Sequence, residues 1–197
     1  MKIIDAHLHI FPSEPRTDAM AEKVGHVNSV EHLREVCGQL EIVHGVVMGN
    51  RSLDVGFHNY PTDLFHYCVG LDSLVLDEAA ADNHRTRFVM CHFGNPFLQE
   101  AAAVLEKNPN VSTDLSGLLE GRVDLDAYFL DRAVYAELLR GWLSYVGCWD
   151  RVMFGTDWPI VNLEEYIRYI QRLVPRAHWQ NVFFDNANQI YGLGLNA

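Results

Sequence analysis

The sequence predicts a single parallel α/β domain over residues 1–197. Three observations carry that expectation. Apolar, β-branched segments alternate with segments of helical spacing along most of the chain. The strand segments are apolar almost throughout, as strands covered on both faces by helices are. Ionisable and amide side chains recur where those strands end, which is where parallel α/β folds gather their chemistry.

The first expected strand is Lys2 to Ile10, with Asp5, His7 and His9 on one face and Ile4, Ala6, Leu8 and Ile10 on the other. Residues 11–28, FPSEPRTDAMAEKVGHVN, read as a polar loop long enough to serve as a lid. NSVEHLREVCGQL is a helix, capped by Asn28 or Ser29, with Val30, Leu33, Val36, Cys37 and Leu40 at helical spacing. EIVHGVVMGN is the second strand, RSLDVGFHNYPTDL a loop, FHYCVGLDS the third strand and LVLDEAAADNH a short helix. TRFVMCHFGNP is the fourth strand, and a helix runs between Pro96 and Pro109. NVSTDLSG is the fifth strand. A long helical region fills LDAYFLDRAVYAELLRGWLSYVG, weakened in its middle by Gly141. RVMFGTDWP is the sixth strand, and NLEEYIRYIQRLV and DNANQIYGL are the closing helices.

Composition narrows the partners. The net charge of -11, with no cluster of Lys and Arg, argues against nucleic acid and anionic membranes. The opening apolar stretch is interrupted by Asp5 and His7, so it reads neither as a signal sequence nor as a membrane span. Cys37, Cys68, Cys91 and Cys148 form no CxxC and no close pair, the pattern of reduced cysteines in a cytoplasmic protein.

The chemistry begins with DAHLH. Two histidines two apart on a strand share a face and can hold one cation. Catalytic zinc usually takes three protein ligands and keeps one position open, so a carboxylate from another strand is wanted. Asp157 in FGTDWP is the best candidate, because in a closed barrel the last strand lies beside the first. A metal there lowers the pKa of bound water to roughly 7. His92, ending VMCH, is placed to shuttle a proton. Asn50 and Arg51 follow the second strand, Asp72 ends the third, and Asp114 and Ser116 end the fifth. Asn50, Arg51, Asp114 and Trp158 are candidate rim residues toward a small-molecule substrate. Each residue also has a structural reading. Asp157 could cap a helix begun by Trp158 and Pro159. His92 could be a hydrogen-bonded core histidine, and Asp114 a turn residue. His26, His32, His44, His58, His66, His84 and His178 are read as surface residues or neighbours of the site.

IDAHLHIF, FVMCHFGNP, NVSTDLSGLLEG, RVMFGTDWP and the tail NANQIYGL, in that order, resemble the amidohydrolase superfamily. The nearest branch is the amidohydrolase-related one that includes aminocarboxymuconate-semialdehyde decarboxylase. The resemblance implies a TIM-barrel-like fold and a divalent metal, zinc first, with manganese as an alternative. It implies His7, His9 and Asp157 as ligands, His92 as a ligand or the base that activates water, and Asp157 also as a proton acceptor. The implied reaction is hydrolysis or decarboxylation of a small carboxylate, amide or lactone.

The family's fourth and fifth strands, and the fifth-strand ligand histidine, have no counterpart. About six βα units are expected, with an apparent internal deletion near Ser73 and Leu74. A typical barrel has about 250 residues. The bridging stretch LVLDEAAADNHR is long enough for one crossover. An opening at that place would leave strand edges that favour a homo-oligomer. Two alternatives stand beside the enzyme reading: a family member that binds metal without turnover, and a TatD-like metal nuclease, which also begins with HxH.

Overall fold

The computed structural model describes residues 1–10, 15–48, 63–68 and 76–196. Strands β1 (Ile3–Leu8), β2 (Ile42–Met48) and β3 (Phe65–Cys68) pair in parallel in that order. Strands β4 (Phe88–Met90), β5 (Val111–Asp114) and β6 (Val152–Met153) form a second parallel set. The two sets meet where β1 lies beside the chain that follows β6. Ala6 N–H donates to Phe154 O at 2.9 Å, Thr156 N–H to His7 O at 3.0 Å and His9 N–H to Trp158 O at 3.0 Å. The spatial order is therefore β3-β2-β1-β6-β5-β4. This is a TIM-barrel-like fold shortened to six βα units. Among the described residues β3 and β4 do not pair, so the ring is open between them. The expected gap at Ser73 and Leu74 lies outside the described residues.

Every residue of β1 is buried. That follows from its central place between β2 and the residues after β6, with helices behind. The helices are α1 (Pro15–Lys23), α2 (Val30–Gln39), α3 (Leu76–Asp82), α4 (Leu98–Lys107), α5 (Leu125–Asp131), α6 (Ala133–Val146), α7 (Leu163–Leu173) and α8 (Asn186–Ile190). Helix α7 shows how the sequence pattern becomes packing. Leu163, Tyr166, Ile167, Tyr169, Ile170 and Leu173 are buried on one stripe, while Glu164 and Arg168 pair on the solvent side. Each apolar side chain so buried stabilises the fold by about 1.5–3 kcal/mol. Asn162 caps this helix by accepting the N–H of Glu165 at 3.1 Å, and Ser29 caps α2 by accepting that of His32 at 3.1 Å.

Three expectations need correction. Residues 15–23 are helix and not part of a loop. Pro15 suits a first helical turn, and only Thr17 and Ala21 are buried, so the apolar stripe is too slight to read as a period. The long helical region, expected as one stretch weakened at Gly141, divides at Arg132, which closes α5 and opens α6. Gly141 lies inside α6, with open space where a side chain would be. The helix after Asp157 starts at Leu163, capped by Asn162, so Asp157 is not a helix cap. No helix among the described residues is long and apolar enough to cross a membrane.

Candidate metal centre

Strand β1 ends at Leu8, so His7 is its penultimate residue and His9 lies one step beyond. The two rings still meet, with their Nε2 atoms 3.3 Å apart. Asp157 reaches them across the β1–β6 seam. Its Oδ1 stands 3.2 Å from His9 Nε2 and 3.5 Å from His7 Nε2. Its backbone N–H donates to His7 O at 2.7 Å, and its φ of 62° is left-handed, uncommon for a residue other than glycine. That turn aims the carboxylate at the histidines.

Burial alone would raise the Asp157 carboxyl. The contacts with His7 and His9 outweigh it and hold the group below its ordinary range. Burial likewise disfavours charge on His7, but the Asp114 carboxylate beside it raises the ring well above the ordinary histidine value. Asp114 is lowered to about 2: burial opposes ionisation, and His7 is the largest influence in its favour.

The spacing fits a metal. Ligands about 2.0–2.1 Å from a tetrahedral zinc lie about 3.3–3.4 Å from one another. The three donor atoms here are separated by 3.2, 3.3 and 3.5 Å. A second grouping joins His7 and Asp157 to His92, with ligand atoms within 4.8 Å of one another, and a third joins His7 to Cys91 and Asp114. Two glycines make room. A Cβ on Gly155 would stand 2.9 Å from His7 Cβ, and one on Gly117 would stand 2.5 Å from His92 Nδ1.

His92 is not on a strand. β4 stops at Met90, and His92 occupies a tight turn, Cys91–Gly94, at φ 60°. Asp114 holds it there by accepting its backbone N–H at 3.0 Å. A non-glycine residue in this conformation is a backbone cost that the contacts around it sustain. The ring is half-buried and its Nδ1 is 2.8 Å from Ser116 Oγ.

The remaining candidates separate. Asp114 is fully buried, engaged with His7, His92 and Ser116, and so supports the histidines from behind. Trp158 is 2% exposed and packs its ring 4.9 Å from that of His26. Neither side chain stands on an open rim. Asn50 and Arg51 lie outside the described residues, as does Asp72. His26 and His44, read as surface residues or neighbours of the site, are buried. Sequence reasoning gave no role to Asp5, Thr156 or the glycines. Thr156 donates its N–H to Asp5 Oδ1 at 2.9 Å and its hydroxyl to Oδ2 at 2.5 Å. DAHLH carried the signal for Asp5, since it shares the parity of the histidines.

A family model described as amidohydrolase matches residues 7–193. The chain belongs to the amidohydrolase family. Solved structures agree with its architecture. One is an amidohydrolase from Burkholderia multivorans with bound zinc, 16% identical, TM-score 0.68, covering 98% of this chain and 99% of that one. Another is an uncharacterised TIM-barrel protein from Bordetella bronchiseptica, 15% identical, TM-score 0.64, with coverages of 98% and 99%. A third is a probable 2-pyrone-4,6-dicarboxylic acid hydrolase from Acinetobacter baumannii with citric acid bound, 13% identical, TM-score 0.63, with coverages of 98% and 100%. At these identities the likeness is one of fold. No curated protein matches the sequence. In this amidohydrolase the metal-capable residues of β1 and of the turn after β6 come together at the seam between the two strand sets.

Proposed function

We propose that this amidohydrolase holds a divalent cation, zinc first, on His7, His9 and Asp157, and hydrolyses or decarboxylates a small carboxylate, amide or lactone. The observation that carries the reading is the triangle of His7 Nε2, His9 Nε2 and Asp157 Oδ1, with sides of 3.2–3.5 Å. When bound, such an ion supplies a Lewis acid and lowers the pKa of bound water toward roughly 7.

The chain's own residues supply the rest. His92, half-buried beside the triangle, is the group that accepts and returns a proton, since imidazole exchanges protons near neutral pH. Asp157 keeps a carboxylate at the same centre and would take a proton from the attacking water and pass it to the leaving group. One neighbour supports a small acid as substrate: a probable 2-pyrone-4,6-dicarboxylic acid hydrolase with citric acid bound.

One observation favours a second reading, a family member that binds metal without turnover. No strand among the described residues stands between β3 and β4 to bring a further histidine. Metal analysis of the purified protein, beside His7→Ala and His9→Ala, tests the centre. Turnover of 2-pyrone-4,6-dicarboxylate and release of carbon dioxide from aromatic acids test the reaction. Stoichiometric metal lost in both variants, with metal-dependent turnover, is the expected result. A parent that binds no divalent metal would falsify the proposal, and bound metal without turnover selects the second reading.

A further inference from the structure

One buried carboxylate touches both histidines that the proposed chemistry needs in a defined protonation form. Asp114 Oδ2 lies 3.2 Å from His7 Nδ1. Its Oδ1 accepts the backbone N–H groups of His92 at 3.0 Å and Ser116 at 3.1 Å, and is also bonded to the Ser116 hydroxyl. That hydroxyl in turn is 2.8 Å from His92 Nδ1.

Donor and acceptor counting fixes the protons. An ionised carboxylate only accepts, so His7 must present Nδ1–H to Asp114. Ser116 has one hydroxyl proton, and its partner Asp114 can only accept it. The Ser116 oxygen therefore meets His92 as an acceptor, and His92 Nδ1 carries the hydrogen. With that hydrogen on Nδ1, Nε2 is the atom each ring would offer to a cation. In His7 that is the atom facing His9 and Asp157.

We infer that Asp114 is a positioning residue that sets the tautomers of two histidines at once, His7 directly and His92 through Ser116. The inference rests on the metal-centre reading for its use. Hydrogen bonds from a ligand histidine's second nitrogen orient the ring and raise its basicity. What this fold adds is a branch: the same carboxylate serves the ligand and, one hydroxyl further, the proton-shuttling ring. The branch exists because β5, lying between β4 and β6, ends on Asp114 with Ser116 two residues on, and from there Asp114 reaches His7 of β1 and the turn after β4.

Two-bond 1H–15N correlation spectra of histidine-labelled protein read the tautomer directly. They are recorded with and without added zinc, on the parent, Ser116→Ala, Ser116→Thr and Asp114→Asn. Expected are Nδ1–H on His92 in the parent and in Ser116→Thr, loss of that preference in Ser116→Ala with His7 unchanged, and loss for both rings in Asp114→Asn. Zinc competition with a chelator should show affinity down about 10–100-fold in Asp114→Asn and little changed in Ser116→Ala. A parent His92 carrying Nε2–H, or a His92 spectrum that Ser116→Ala leaves unaltered, overturns the inference even if Asp114→Asn does not fold. A parent that shows the expected His92 form but takes up no zinc overturns the metal reading and leaves the tautomer assignment standing.

Discussion

The hydroxyl of Thr156 donates to Asp5 Oδ2 at 2.5 Å, joining residues 151 positions apart in the chain. Asp5 Oδ1 accepts the backbone N–H of Thr156 at 2.9 Å and that of His7 at 3.1 Å. This clasp closes the seam on which His7 and Asp157 meet. Thr156→Val removes one donor from a buried carboxylate and should destabilise the protein by about 1–3 kcal/mol. The urea midpoint should fall with the slope unchanged, and an unaltered midpoint would show that the seam does not depend on the clasp.

Removing the metal should loosen the same seam. A ligand bound only by the folded state stabilises it by about 2.7 kcal/mol at a concentration one hundred times its dissociation constant. Zinc should therefore raise the melting temperature of chelator-treated parent protein. Asp157→Asn should respond little, since it puts an amide where the carboxylate oxygen proposed as a ligand stands. Equal zinc responses from parent and variant would remove Asp157 from the ligand set.

His92 and the ligands should separate in their effects. His92→Gln should lower kcat by about 100- to 10,000-fold, the usual worth of a positioned acid–base group. Bound zinc, measured by metal analysis, should stay near the parent level. Loss of both together would make His92 a ligand, as its grouping with His7 and Asp157 allows.

Gly117 offers a test by steric crowding. An added Cβ would stand 2.5 Å from His92 Nδ1 and 3.1 Å from Asp157 Oδ2, on a backbone at φ +60°. Gly117→Ala should displace the His92 ring and cost about 1–2 kcal/mol in backbone strain. Activity should fall further than stability, and a variant with parental kcat would show that the His92 position is not critical.

Acid stability should depend on His26. Burial, and then His32 and Arg122, lower its pKa from 6.5 to about 4. Its Nδ1 bonds His32 Nε2 at 3.0 Å, and its Nε2 accepts the N–H of Leu163 at 3.4 Å, at the start of α7. The unfolded chain takes up this proton near pH 6.5 and the folded chain only near 4. Stability from neutral His26 is thus complete above pH 6.5 and is lost as pH falls toward 4. Between pH 7 and 5 the parent should lose about 2 kcal/mol more than His26→Gln in urea titrations. Parallel losses in the two proteins would contradict the assignment.

Much of the fold was legible in the sequence because its signals are local. Each strand carries its own apolar run, and α7 its own stripe from Leu163 to Leu173. Alternation put His7 and His9 on one side, and a last strand returning beside the first put Asp157 near them. Helix α1 was not legible, because two small buried residues make no period. The break at Arg132 was not either, since Gly141 carried the stronger local sign.

What the sequence by itself determined is the order of the strands along the chain and the choice of His7, His9 and Asp157 as candidate donors, since periodicity and strand ends are properties of neighbouring residues. What only the tertiary structure decided is how the donors are held. The left-handed backbone of His92 is held by a carboxylate from another strand, and that carboxylate also meets His7. Which nitrogen of a ring keeps its proton depends on the acceptor it meets in space. For His7 that acceptor is 107 positions away, beyond the reach of any local pattern.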